Sequence, residues 1–267
     1  MLALAYIPPP PVHNIELGPL TLHLYGLLIG LGVVLAINLT ERLLRRQDVP
    51  VERLMTVLLP AVLMGFVGAR LYHVASEPVR YAHDPGDIIK IWQGGLGIWG
   101  GIALGTITGL LIARRVGIPR RRLLDAVAPG IALAQALGRV GNYVNQELFG
   151  RPTDLPWGLE VNRVFRPAQY AGERYFHPTF LYEGLIDLSI GVALLVLFVR
   201  WKGRAPGVLF AIYVAAYSLG RFFVEGLRID DAHSFGPFRQ NEWLALTLFV
   251  LGTATAVVMQ RRWSRDD

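Results

Sequence analysis

The chain has 267 residues, 53% hydrophobic and only 17% charged, with a formal net charge of +6. With its positive mean hydropathy, that balance excludes an ordinary soluble domain and describes a membrane protein, because the ionisable residues cluster between apolar runs. The absence of cysteine excludes a disulfide, a thiolate nucleophile or a cysteine-ligated metal within the chain.

In chain order, "MLALAYIPPPPVHN" lacks a charged start and its short apolar run meets four prolines, so no cleavable secretory signal is expected. A helix crossing a bilayer needs about 20 mostly apolar residues. Seven stretches approach this, at 20 to 39, 54 to 74, 94 to 113, 123 to 141, 178 to 199, 206 to 224 and 242 to 260. The fourth, "RRRLLDAVAPGIALAQALGRV", is the least apolar: Asp125, Pro129 and Gln135 suit a bent helix packed inside a bundle, and without it six spans remain. The predicted fold class is an all-α integral membrane protein, a bundle of seven transmembrane helices forming a single polytopic domain over 1–267.

Lys and Arg in the connections set the orientation. "ERLLRRQDVPVER", "ARRVGIPRRR", "RWKGR" and "QRRWSRDD" alternate with connections poorer in these residues for their length, so the basic segments are expected in the cytoplasm. The N-terminus then faces outside and the C-terminus inside, with 75–93, 142–177 and 225–241 external. The long connection, "RPTDLPWGLEVNRVFRPAQYAGERYFHP", is too polar to span and rich in Pro, Gly and aromatics, which predicts a small extracytoplasmic cap formed mainly by 142–177. The positive charge lies between spans, where the bilayer explains it, so no nucleic-acid partner is expected.

"GGLGIWGGIALGTITG" contains a G-x-G-x-x-G at Gly95, Gly97 and Gly100. A dinucleotide fingerprint needs a preceding strand and a soluble βαβ unit, whereas here the glycines open an apolar span. Close helix packing explains them better, with Gly101, Gly105 and Gly109 continuing at i+4 spacing. A Gly-rich helix start also leaves backbone N–H groups able to face an anion.

Polar residues recur near the predicted outer ends of the spans, where each must be desolvated and then satisfied. In "GRVGNYVNQELFG", residues 138–150, helical geometry would put Arg139, Asn142 or Tyr143, and Gln146 on one face, with Glu147 and Gly150 nearby. "GRFFVEGLR" sets Arg221, Glu225 and Arg228 at i, i+4 and i+7, and Glu225 can neutralise only one of the two arginines. Arg70 and Tyr25 lie at the outer ends of the second and first spans; alone, they read as a snorkelling residue and an interfacial anchor. "HPTFLYEGLID" adds His177, Tyr182, Glu183 and Asp187, whose two carboxylates at i and i+4 require protonation or an arginine partner. Together they predict an outer-leaflet site with an arginine excess, suited to a phosphate-bearing lipid headgroup because guanidinium pairs bidentately with phosphate oxygens. On the residues alone this is an enzyme, a lipid transporter or a lipid-binding scaffold; a transporter favours inverted repeats meeting at mid-membrane, and no repeat is visible.

"GRVGNYVNQELFG" resembles the signature of the prolipoprotein diacylglyceryl transferases, G-R-x-G-N-x-x-N-x-E-x-x-G, at every fixed position: Gly138, Arg139, Gly141, Asn142, Asn145, Glu147 and Gly150. The likeness extends over most of the chain through "LYGLLIG", "GARL", "GGLGIWGG", "HPTFLYE" and "GRFFVEGLR", in the family's order. The resemblance implies a seven-span enzyme of the bacterial plasma membrane. Such an enzyme moves the diacylglyceryl group of phosphatidylglycerol to the lipobox cysteine thiol of a preprolipoprotein signal peptide, forming a thioether and releasing glycerol 1-phosphate. No cofactor is expected, because the lipid carries the reactive bond, and no metal, because no strong metal-ligand spacing appears among the six histidines. It further implies that Arg139 and Arg221 are essential, that Asn142 and Glu147 are signature polar residues, and that Tyr25 is the first-span tyrosine. Arg70, Glu225 and Arg228 match further polar positions. Many members carry a histidine, proposed as a base, where this sequence has Trp99.

The expected catalytic set is therefore Arg139, Arg221, Glu147 and Tyr25. The expected substrate-binding set is Arg139, Asn142, Gly150, Arg221, Arg70, Glu225, Arg228 and His177. A free thiol has a pKa of about 8.5, so it must lose its proton while the departing phosphate is charge-balanced. The two arginines would serve both needs, and the proton acceptor is among Glu147, Tyr25, His177 and water, with Glu147 first.

Overall fold

Apolar runs become helices wherever the backbone must satisfy its own N–H and C=O groups, and this chain is mostly helical. A computed structural model describes residues 6–17, 20–90, 94–229 and 234–266. Residues 1–5 of the N-terminal stretch, and 91–93 and 230–233 of two connections assigned outside, lie beyond that description. The long helices are α1 (Leu24–Arg45), α2 (Leu54–Ser76), α4 (Ile98–Val116), α5 (Arg120–Asn145), α6 (Thr179–Arg200), α7 (Val208–Glu225) and α8 (Gln240–Asp266), with a short α3 (Pro78–His83). Among the described residues six helices, α1, α2, α5, α6, α7 and α8, are long and apolar enough to cross a membrane. The protein is thus an all-α, multi-pass membrane protein in its coarse architecture. The sixfold set differs from the sixfold alternative read from the sequence: α5 belongs to it, and α4 does not. Helix α4 starts only at Ile98 and carries Arg114 and Arg115 in its last turn, which shortens its uncharged stretch to Ile98–Ala113.

The chain divides into two compact units, one of residues 1–40 and 124–267, the other of residues 41–123. In the second unit, α2 and α4 pack through glycines. A Cβ added to Gly101 would lie 3.2 Å from the Gly65 carbonyl oxygen, and one on Gly105 would lie 3.0 Å from that of Ala61. The i+4 glycines thus bring two backbones together, as such interfaces do.

In the first unit two polar residues of α5, Asp125 and Gln135, have a structural task. Asp125, 1% exposed, accepts hydrogen bonds from the Gly207 N–H at 2.7 Å and the Phe210 N–H at 3.1 Å, capping the start of α7 from another helix. Gln135 accepts from the Tyr213 hydroxyl at 2.8 Å. These satisfied groups explain how α5 keeps its polarity inside the fold.

The 146–178 connection is ordered around its own core. Phe149, Leu159, Val161 and Phe176 are buried, with Ile7, Tyr143, Tyr170, Phe180 and Ile229 packed against them. A short antiparallel pair, β3 (Leu159–Glu160) with β4 (Tyr175–Phe176), and a bridge from Ile7 to Leu159 hold it. The N-terminal segment contributes β1 (Asn14–Leu17) paired with β2 (Leu20–His23), and β5 (Ser234–Phe235) pairs with β6 (Phe238–Arg239) before α8.

Candidate functional site

The signature segment does not continue as the helix its periodicity suggests. Helix α5 ends at Asn145, and Gln146 and Leu148 take left-handed backbone angles, with φ of 50° and 59°. For non-glycine residues such angles carry a cost of about 1–3 kcal/mol each and persist only where the surroundings hold them. Here Gln146, 2% exposed, accepts from the Asn162 N–H at 2.7 Å, and the Leu148 carbonyl accepts from the Thr179 hydroxyl at the start of α6. The reversal returns Glu147 to the helix it has just left: its N–H donates to the Asn142 carbonyl at 3.1 Å, and its carboxylate accepts from Asn142 Nδ2 at 2.8 Å. Asn142 Oδ1 in turn accepts from Arg139 at 3.3 Å. Arg139, Asn142 and Glu147 are therefore one chain of contacts, closed by the turn and not by a helical face.

From Arg139 the network crosses to two other helices. Its Nη1 lies 2.9 Å from Glu183 Oε2 on α6, and its Nε lies 3.7 Å from Asp187 Oδ2 one turn on. Arg221, from α7, pairs with the other oxygen of the same Glu183 and, through Nη2, with Glu225 at 2.6 Å. Glu225 is fully buried; it also pairs with Arg239 at 3.5 Å and accepts from Asn241 at 3.0 Å. Arg139 and Arg221 thus converge on one carboxylate, that of Glu183, whereas buried Asp187 has the 3.7 Å approach of Arg139 and, among the described residues, no hydrogen bond to its Oδ2. A cavity of about 10 Å³ lies among Arg139, Glu183, Asp187, Tyr217 and Arg221, room for about one water molecule. Ile186 and Gly220 line both this cavity and an open, apolar groove of about 430 Å³ between α6 and α7.

The remaining expected residues divide by place. Tyr25 packs on Gly141, where an added Cβ would meet its ring, and lies within electrostatic reach of Glu147 and Arg139. Gly150 bridges Arg228 through the backbone, its N–H donates to the His177 carbonyl at 2.9 Å, and an added Cβ would sit 2.8 Å from His177 Cβ. Arg228 does not extend a stripe with Arg221 and Glu225, because α7 stops at Glu225; its carbonyl accepts from Arg239 at 3.2 Å. The His177 ring contacts the Tyr182 hydroxyl at 3.3 Å, and burial together with the nearby Arg151 lowers its pKa. Arg70 and Trp99 belong to the 41–123 unit. Arg70, 6% exposed, donates to the carbonyls of Ile88 at 2.8 Å, Gly94 at 2.6 Å, Gly95 at 2.8 Å and Lys90 at 3.4 Å, and to that of Asp87.

Arg239 and Asn241 were not among the sequence-derived candidates. They stand in a connection that reads as a loop, and only the "RQNE" cluster opening an apolar run marks it. Glu183 was recognised as a charge in need of a partner, but nothing in its spacing shows that it joins two arginines.

The family model described as prolipoprotein diacylglyceryl transferase matches residues 12–258. The chain is 46% identical over 265 residues to the phosphatidylglycerol–prolipoprotein diacylglyceryl transferase of Cutibacterium acnes, covering 98% of this chain and 89% of that protein. It is 47% identical to the enzyme numbered 2 of Streptomyces coelicolor, covering 97% and 82%, and 42% identical to that of Trichormus variabilis, covering 95% and 90%. With the match running through nearly the whole chain, this protein belongs to the prolipoprotein diacylglyceryl transferase family.

Proposed function

We propose that this protein transfers the diacylglyceryl group of phosphatidylglycerol to the lipobox cysteine of preprolipoproteins, the first step of bacterial lipoprotein maturation. The observation that carries the reading is the meeting of Arg139 and Arg221, from α5 and α7, on a single carboxylate beside a cavity. Two guanidiniums that share one anionic group are arranged to share a phosphate. In the reaction the cysteine sulfur attacks the carbon of the diacylglyceryl moiety that bears the phosphate. The C–O bond breaks as the S–C bond forms, and the thiol proton ends on the released glycerol 1-phosphate. Arg139 and Arg221 balance the departing charge and favour the thiolate. Glu147 takes the thiol proton and passes it to the departing phosphate, with Tyr25 beside it. Asn142, Gly150, Glu225, Arg228 and His177 shape the substrate site, and Arg70 contributes by holding the segment through residue 95.

In this reading the whole chain acts as one membrane domain of seven spans, with α4 included, in the bacterial plasma membrane. The N-terminus and the 142–177 cap face outside, the C-terminus faces the cytoplasm, and phosphatidylglycerol and the signal peptide come from the surrounding bilayer. The alternation of basic connections supports this orientation.

Purified protein in phosphatidylglycerol vesicles with a lipobox peptide should yield a thioether-linked diacylglyceryl peptide and equimolar glycerol 1-phosphate. Lipid movement without release of glycerol phosphate would replace the reading with a transporter. Glu147→Gln should lose most transfer; near-normal turnover would remove Glu147 as the base and leave the arginine pair in place.

A further inference from the structure

The cavity between the two arginines accepts about one water, so a phosphodiester does not fit while the side chains stay where they are. The group in its way is Glu183. Its two oxygens reach Arg139 and Arg221 separately, Oε2 to one and Oε1 to the other. A phosphodiester offers the same feature, two charged oxygens on one centre.

The other contacts of these arginines are held elsewhere. Arg139 keeps Asp187 through Nε and Asn142 through Nη1, and Arg221 keeps Glu225 through Nη2. Removing Glu183 alone would leave Arg221 its 2.6 Å pair with Glu225, and Arg139 its bond to Asn142 with Asp187 at 3.7 Å. Charge points the same way: Arg139, Arg221 and Arg239 face Glu183, Asp187 and Glu225. With Glu183 in place, a phosphate would set a second anion on the same two guanidiniums in a desolvated site, which is strongly unfavourable.

We propose that Glu183 is a place-holder for the lipid phosphate, closing the guanidinium pair in the empty enzyme and giving way when the phosphodiester binds. The proposal rests on phosphatidylglycerol being the donor. Asp187 and Glu225 are the positioning carboxylates that keep the arginines converged during the exchange. The apolar groove that shares Ile186 and Gly220 with the cavity provides space for an acyl chain attached to that phosphate. After transfer, the return of Glu183 competes with glycerol 1-phosphate and assists its release.

A place-holder and a structural brace give opposite signs on removal. Glu183→Gln keeps the shape and one acceptor but removes the charge. For a place-holder, KM for phosphatidylglycerol and the inhibition constant of glycerol 1-phosphate should both fall, by about threefold to tenfold. Asp187→Asn and Glu225→Gln should raise both. If Glu183→Gln raises both constants, Glu183 is a brace and the proposal is overturned. Should that variant not fold, infrared difference spectra of the wild-type enzyme on adding glycerol 1-phosphate decide the matter: a change in the carboxylate stretch is expected, and its absence overturns the proposal. Wild-type enzyme that releases no glycerol 1-phosphate would instead bring down the donor assignment itself, so the two failures are distinguishable.

Discussion

Arg70 and Arg139 are both largely buried arginines on apolar helices, yet they are satisfied in different currencies. Arg70 spends its donors on main-chain carbonyls between Asp87 and Gly95. Carbonyl dipoles satisfy a guanidinium's hydrogen bonds but cannot leave without unfolding the backbone that bears them. Arg139 is held by the carboxylates of Glu183 and Asp187 and by Asn142. Side-chain carboxylates can be exchanged for another anion by rotating a few bonds. The first arrangement organises a segment; the second, in the proposed function, receives the ligand.

The sharpest way to break this comparison is to remove each guanidinium. Arg139→Ala or Arg221→Ala should lower kcat/KM for transfer by about 10³-fold, the scale of losing a charged transition-state donor, while the purified protein still elutes as a folded species. Arg70→Met should act on stability instead. Leaving buried carbonyls unpaired should cost about 2–4 kcal/mol, read as a lower unfolding midpoint, with transfer retained at temperatures where the variant remains folded. If Arg70→Met abolished transfer with no change in unfolding, the distinction between the two arginines would fail.

A smaller effect is expected at Gly150, where the added methyl of Gly150→Ala would meet His177 Cβ at 2.8 Å and the Leu227 carbonyl oxygen at 2.9 Å. Overpacking of this kind should destabilise by about 1–3 kcal/mol, measured by thermal unfolding, with a matching loss of transfer if the Gly150–Arg228 bridge shapes the site. The smallest effect concerns pH. Because the folded pKa of His177 lies below its ordinary value near 6.5, the unfolded chain binds the proton first as pH falls. Stability from this group is complete above pH 6.5 and is lost as pH drops from there towards the folded pKa. His177→Gln should therefore flatten the acid side of the unfolding profile in that window; an unchanged slope would place the proton uptake elsewhere.

Much of the fold is legible in the sequence because bilayer insertion is read through local, periodic properties. The apolar runs, the i+4 glycines of α4 and the aromatic-rich connection after α5 each announce an element without reference to any distant residue. The family signature is equally local, and it named Arg139, Asn142 and Glu147 before any geometry was known. Local reading failed where the backbone departs from its period. The helical wheel carried 138–150 past Asn145, but the left-handed Gln146 and Leu148 stop the helix and fold Glu147 back on Asn142. It failed again at Arg228, which lies beyond the end of α7.

By itself, then, the sequence determined a helical membrane protein, its small-residue packing faces and the residue types of the buried arginine–carboxylate cluster, since hydropathy and turn chemistry act over a few neighbouring residues. Only the tertiary structure decided which charges meet: that Arg139 and Arg221 share Glu183, that Glu225 also takes Arg239, and that Arg70 is committed to carbonyls. Pairing energy falls off within a few ångströms, and partners such as Arg139 and Glu183 are separated along the chain by the whole of the intervening connection, so no sequence spacing specifies which carboxylate an arginine will reach.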